Sequence, residues 1–525
     1  MKFIIVLFLS IFTLSLNAQE NESPVQTNWG VQHAGPSSSY LYKILRSNKE
    51  GILCIRIKKP GLLSSTEKII FEAYNPLYKL VKSKEYPLEY KNKSMEFEEC
   101  FTLGGHMYLF SSFINIGEGK RFLFAQEVHQ NTLIPEKKLI FIAETPYSIS
   151  GVDLGFKFEI SADSSHLMVF EPKKAKKDEP AKYIIKVIDK DLNTDWEKDY
   201  SLPGKLNMHE VEASKLDNNG NAFLLLNSTL DKSLNSPNDA SYKLITIKNR
   251  GTIVDEFPID LQNLFINGIS FKFLNDGKII SAGFYSERGM KSIKGVFYLT
   301  LDPETKSIIK QSTKAFDFNF VTSQLSTSRR EKVRAAGRSN KDPELPKFNL
   351  DQLILRGDGG ALLLAEQFEI VSFNEYDNFS NSITERYLYR YDDIVAVSVN
   401  PRGEIDWATR IPKNQETQDD GGVYSSYCYA VTGNNILLVF NDNPKNYTKE
   451  KKTGLPYEFD AYRGQPAYAL IDSNGNFTTG LLEHTDASGF FIKPSLCKQI
   501  GANRLLLYKE NNSSYNFGEA SLVRK

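Results

Sequence analysis

Cysteine, histidine and tryptophan are scarce in this chain, which contains four, six and three of them in 525 residues. The histidines, His33, His106, His129, His166, His209 and His484, show no HExxH or paired spacing, which removes the zinc-protease pattern. Cys54, Cys100, Cys428 and Cys497 lie far apart without a CxxC pair, so no metal or redox motif is present. In an exported protein they either pair or stay as buried thiols, and both readings remain open. No GxSxG elbow occurs, which removes the α/β-hydrolase signature. An excess of one charge is also missing: 64 basic residues face 64 acidic ones, so nothing global steers the chain to nucleic acid or to an anionic membrane. After the first 18 residues, no apolar run approaches the ~20 residues a helical membrane span needs.

The first 18 residues read as an export signal, with Lys2 as the charged start, an apolar stretch over 3–16 and Ala18 before the cut. No cysteine follows the cut, which argues against a lipid anchor. The expected location is the periplasm, the cell surface or the medium. Residues 19–39 form a polar lead.

What the chain has in abundance is hairpins. LILRGDGGALLLAEQF holds two apolar runs around Asp358-Gly359-Gly360, and YDDIVAVSVNPRGEIDW holds two more around Asn400-Pro401-Arg402-Gly403. Asp-Gly and Gly-Gly supply the positive φ angles of tight hairpin turns. First turns of this kind recur near Gly51, Gly104, Asp163, Gly220, Gly277, Gly359, Gly433 and Gly501, at steps of about 53 to 82 residues. Second turns follow at Asp191, Asn249, Asp302, Asn400 and Asp472. Two hairpins per unit make a four-stranded meander, and radial closure is the arrangement that protects the edges of so many strands. The expected fold is all-β, a β-propeller over 40–525 with eight antiparallel four-stranded blades, seven being the alternative, and a polar, basic insertion at 317–348. The last unit shows only three strand-like runs, and the segment near Trp29 to His33 is the expected source of its fourth.

In such blades the short turns share one face, while the b–c loops and the inter-blade connectors share the other. The long segments 171–181, 229–241, 369–386, 441–464, 317–348 and 413–424 therefore gather on one face, where loops carry binding groups. Its candidate binding residues are Glu366, Asp392, Asp393, Gln415, Asp419, Asp420, Tyr424, Asn441 and Asp442, with Asn443 beside them. Clustered carboxylates suit Ca²⁺ or general acid–base work, whereas Asp and Asn in connectors also cap turns through their own backbone. No metal or other cofactor is required, Ca²⁺ being the one considered. Asp472-Ser473-Asn474-Gly475 opens like a calcium loop but lacks the later acidic ligands. Thr409-Arg410-Ile411-Pro412 is similar to a sialidase arginine motif, without the Asp-boxes that accompany it. Two functions follow: an exported, non-enzymatic propeller that binds a protein or glycan through the long-loop face, or a glycan-active hydrolase or lyase. The second requires Asp419, Asp420, Glu366 and Asp392 to converge.

VSVNPRGEIDW, followed by IPKNQETQDDGGVYSSY and LLVFNDNPKN, resembles a block of uncharacterised exported proteins of Bacteroidetes-type bacteria, most specifically over residues 353–445. The resemblance implies export and a propeller-like fold, and supplies no catalytic residues. DLNTDW and RGEIDW are also similar to hairpins of quinoprotein-like propellers. With only Trp29, Trp196 and Trp407 present, the regular tryptophan-docking repeat of that family is missing and a quinone cofactor is not implied.

Overall fold

The computed structural model describes residues 23–523 apart from 36–37, 61–65, 91–92, 148–154, 174–178, 203–209, 228–241, 324, 326–329, 333, 335–342, 378–381, 449–455, 460–463 and 484–488. The export signal and the 229–241 loop therefore lie outside the described residues.

Eight antiparallel sheets of four or more strands follow one another along the chain. Blade one is Ser39–Asn48, Gly51–Lys58, Lys68–Tyr74 and Leu80–Pro87, paired in that order as strands a to d. Blades two to five and blade seven repeat the order over 96–146, 157–201, 210–259, 265–315 and 427–481. Blade six is Asn349–Leu355, Ala361–Asp377, Ser382–Val399 and Ile405–Ile411. Blade eight takes strands a to c from Lys498–Gly501, Arg504–Glu510 and Ser514–Leu522, and its outer strand from Val25–Trp29 near the other end of the chain. His33–Ala34 continues along the same Ser514–Leu522 strand.

Burial explains why each strand has its composition. The b strand is covered on both sides, so Gly51–Lys58 is buried along nearly its whole length, whereas the outer strand Leu80–Pro87 is mostly exposed and polar. Among the described residues the core divides into eight apolar clusters, each shared by two consecutive blades. One of them joins Leu506, Tyr508 and Phe517 of blade eight to Leu41, Ile52 and Tyr74 of blade one, which closes the ring. A closed ring leaves no long apolar edge strand in water.

The turns obey the Asx rule. Asp189, Asp217 and Asp472 each accept N–H bonds from residues two and four further on. The Asp472 carboxylate is thereby engaged by Asn474 and Asn476, and the sequence that opens like a calcium loop is a hairpin turn. Several c–d turns are fastened to the blade before them. Lys198, Ser312 and Thr409 on outer strands donate to the carbonyls of Gly251, Gly403 and Gly475 in the next blade. Gly475, at φ +80°, also lies under the Trp407 ring, where a Cβ would come within 2.8 Å of Trp407 Cδ2.

One expectation needs correction. Residues 369–386 are not a loop: strands b and c of blade six run on past the sheet, pairing Phe368 with Tyr391 through to Asp377 with Ser382. The described ends of the 317–348 insertion pack onto the ring. The insertion starts with a short helix, Phe318–Thr322, capped by Asp317, and Val321, Leu345 and Phe348 are buried in the cluster between blades five and six.

Candidate functional site

Six b strands end alike on the loop face. GILCIR, HLMVFE, AFLLLN, ALLLAE, ILLVFN and LLLYKE place Arg56, Glu171, Asn227, Glu366, Asn441 and Glu510 after five largely apolar residues. Arg56, Glu171, Glu366 and Asn441 are buried. Toward the same face the innermost strands of blades one, two, four, five and six bulge, leaving Tyr42, Glu98, Glu212, Asn267 and Asp351 out of register with the b strand. Bulges re-aim side chains at functional rims. Polar groups thus form two tiers around the loop-face end of the ring, and a buried polar group demands a partner.

Across blades eight to six those partners join end to end. Glu510 accepts from Tyr508 (2.7 Å) and Tyr424 (3.1 Å) and pairs with Lys493 (2.6 Å). Asn441 donates to the carbonyls of Tyr424 (2.7 Å) and Ile492 (2.8 Å) and accepts from the Ile492 N–H (3.0 Å). Gln415 donates to the Asn441 carbonyl (2.7 Å) and accepts from Lys413 Nζ (2.8 Å) and the Ser426 N–H (2.8 Å). Lys413 lies 2.9 Å from Glu366 Oε1, the two side chains being 0% and 3% exposed, and the Ser426 hydroxyl donates to Glu366 Oε2 (2.6 Å). Next to them, Asp351 accepts from the Tyr427 hydroxyl (2.9 Å). Loss of surrounding water and then the negative charge of Glu366 push its carboxyl up to about 7. Burial also raises half-buried Asp392, with the Lys413 ammonium opposing.

Above this chain stands an arm. The extended b and c strands of blade six are joined by a third strand, Gln415–Gln418, on the Leu388–Tyr391 edge. One side of the arm is laced by ion pairs: Arg386 with Glu375 and Asp419, and Arg390 with Glu369 and Glu416. The other side alternates Phe368, Ile370 and Tyr376 with cross-strand Tyr391, Tyr389, Tyr387 and Ile383. Ile370, Tyr376 and Ile383 are 51, 54 and 68% exposed. At its base Phe368 packs against Tyr391 at 4.5 Å.

The candidate residues are therefore on one face, but in different roles. Glu366, Asp393, Gln415, Asn441 and Asp442 are buried. Asp393 pairs with Arg410 (2.6 Å) and accepts from the Lys413 N–H (3.0 Å), so the arginine with the sialidase-like surroundings is already held. Asp442 accepts from the Asn443 N–H, Asn446 and Tyr447, and burial raises its pKa. Asn443 caps the 3-10 turn Pro444–Tyr447, which Asn446 fastens to Tyr457. Asp420 accepts from Thr417 (2.7 Å) and the Gly422 N–H (2.7 Å), a turn cap, while Asp419 holds Arg386 and the Tyr387 N–H on the arm. The carboxylates that a hydrolase would use are thus engaged by different partners: Asp419 by the arm, Asp420 by its own turn and Glu366 by Lys413 and Ser426. Missed by the sequence reading were Asp351, Lys413, Ser426 and Tyr427. The repeated apolar-run-plus-polar ending of the b strands is the signal that points to their neighbourhood.

Among the described residues, no three His, Cys, Asp or Glu side chains are grouped to hold a metal ion, and no helix is long and apolar enough to cross a membrane. A crevice of about 550 Å³ opens on the opposite, short-turn face between blades six and seven, lined by Arg356, Asp406, Trp407 and Ser473. Its charged groups already pair with one another, Arg356 with Asp358 and Asp406.

No family model matches the chain, and no curated protein matches it. Among solved structures it is similar to the WD40 domain of SCAP from fission yeast, at 8% identity and TM-score 0.36, covering 97% of each chain. It is similar too to the β-propeller domain of the trilobed protease from Pyrococcus furiosus, at 8% identity and TM-score 0.34 over 86% of this chain and 100% of that one. A protein of unknown function from Bacteroides caccae matches at 13% identity and TM-score 0.27, over 66% of this chain and 90% of that one.

Proposed function

We propose that this chain is an exported, non-catalytic β-propeller that recognises a protein partner through the loop face of blades six to eight, with the blade-six arm as the gripping element. The observation that supports it is the arm itself. Its charged side is satisfied internally, whereas Ile370, Tyr376, Tyr387 and Ile383 hold exposed apolar and aromatic surface on paired strands. Exposed aromatic anchors on a fixed scaffold are what protein interfaces use. Glu366, Asp393, Asp419, Asp420, Asp442 and Glu510, by contrast, are occupied by lysines, arginines, hydroxyls and backbone amides of the chain, which supports recognition over catalysis. The leader-like residues 1–18 are the basis for export.

The test is site-specific photo-crosslinking in the native envelope from position 376, with position 473 on the short-turn face as control. The expected result is one discrete protein adduct from 376 that is absent from 473 and lost in Ile370→Asp/Ile383→Asp. Adducts from 473 alone would overturn the assignment of face. A thermal shift with a glycan panel that is abolished by the same double variant would replace the protein partner with a glycan.

A further inference from the structure

The four cysteines carry no motif, yet the fold treats them unequally. Cys54 and Cys100 are fully buried and belong to different inter-blade clusters, the first packed near Glu72. Cys428 and Cys497 pack into the same cluster, between blades seven and eight. Cys428 lies on the inner strand of blade seven, Tyr427–Thr432. Cys497 follows the 3-10 turn Pro494–Leu496 that leads into the inner strand of blade eight. The two segments are clamped side by side by Gln499, whose side chain accepts from the Val431 N–H (3.0 Å) and donates to the Val431 carbonyl (2.8 Å). Cys428 lies three residues before its end of that clamp and Cys497 two residues before the other, so the two thiols pack in one cluster; burial first, and then the neighbouring Cys497, raise the Cys428 pKa.

We propose that Cys428 and Cys497 are a site of covalent modification, forming a disulfide that staples blade seven to blade eight. The oxidant is a disulfide-exchange reagent: the oxidised form of a dithiol oxidoreductase, or oxidised glutathione. Cys497 is the partly exposed member, and Cys428 is buried. The Cys497 thiolate attacks a sulfur of the oxidant, forming a mixed disulfide and releasing the first thiol. The Cys428 thiolate then attacks the Cys497 sulfur and releases the second. The protein loses two hydrogens, and the oxidant's disulfide is reduced to two thiols. The bond would reinforce the ring where it most needs covalent help. Blade eight is the one blade assembled from both ends of the described chain, and a crosslink to its inner strand leaves the Val25–Trp29 strand as the remaining non-covalent seam.

The experiment uses the full chain, treated with oxidised glutathione or with reductant, alkylated after denaturation and mapped by mass spectrometry. The expected result after oxidation is one crosslinked pair of peptides holding Cys428 and Cys497, lighter by the two hydrogens lost, with Cys54 and Cys100 alkylated. The oxidised form should melt about 3–5 °C above the reduced form, from the entropy of closing a long loop in a chain of this size. Reductant should abolish the difference, and Cys428→Ser/Cys497→Ser should show none. A glutathione adduct on Cys497 without the crosslink, or both cysteines alkylated after oxidation, would overturn the proposal. Crosslinks scrambled among all four cysteines would overturn it too. The mapping is done on the unmodified sequence, so it stands even where a variant fails to fold, and it is independent of the loop-face partner.

Discussion

Two buried ion pairs show how the same architectural position is put to different use. In blade one, Arg56 at the end of the b strand pairs with Glu72 (2.8 Å), with side chains 2% and 4% exposed. In blade six, Glu366 at the corresponding end pairs with Lys413 at 2.9 Å. The first is sealed in aromatic rings. Tyr74 donates to Glu72 (2.6 Å) and shares a hydrogen bond with Tyr515 (2.7 Å), and the guanidinium lies 4.2 Å from the Tyr515 ring centre. His33, carried by the ring-closing N-terminal segment, stacks on Tyr515 and donates to the Tyr78 carbonyl. The second is set among Gln415, Ser426, Asp351 and Asp392 beneath the arm, next to groups that titrate and reach solvent. A delocalised guanidinium fits an aromatic box, and a compact ammonium fits a ring of oxygen acceptors. Burial alone therefore does not separate a structural charge from one near a recognition surface; the neighbours do.

The largest effect that breaks the comparison is removal of one partner. Arg56→Ala and Lys413→Ala should each cost about 3–5 kcal/mol in denaturant unfolding, because each strands a buried carboxylate. The paired replacements Arg56→Met/Glu72→Met and Lys413→Met/Glu366→Met should recover most of that loss, and only the second should abolish arm crosslinking. Glu171 sharpens the point, since it occupies the same position in blade three with Oε1 buried and unpartnered. Burial raises its carboxyl to about 7, the Lys186 charge opposing. The folded pKa thus exceeds the unfolded one, so this group's stability contribution is present at low pH and lost as pH rises from about 4.5 through 7. Glu171→Gln should stabilise the protein by on the order of 3 kcal/mol at pH 8 and leave it unchanged at pH 4, read from urea midpoints. Gly475→Ala, which forces a Cβ into Trp407 at a positive φ, should cost about 1–3 kcal/mol. Smallest of all, Asp419→Asn on the exposed arm should leave the melting temperature unmoved while loosening the Arg386 contact, visible as faster amide exchange at Tyr387.

The blades were legible in the sequence because their turns and apolar b strands are local signals. Asp358-Gly359-Gly360 and Asn400 to Gly403 mark their hairpins without reference to anything distant. The arm was not legible in the same way. Its strands have water on both sides, so residues 369–386 carry no core-facing run and read as loop, although Phe368, Ile370, Tyr387, Tyr389 and Tyr391 keep a period of two. Lys413 and Ser426 escaped notice for another reason. A lysine after a strand and a serine in a connector look solvated until blades six and seven close over them. The ends of the insertion, Val321 and Phe348, likewise take their burial from neighbours distant in sequence.

The Val25–Trp29 strand has a consequence in time as well as in space. Asn516 reaches across to the Gly30 carbonyl over 486 positions of chain, so the ring's last seam cannot form until nearly everything else has been made. At ordinary synthesis rates of ~5–20 residues per second, the opening strand waits unpaired for roughly 25–100 s. Ring closure is therefore the highest-contact-order event of folding and the expected slow phase. Until it occurs, the exposed edge of Ser514–Leu522 can capture a free copy of its own missing strand.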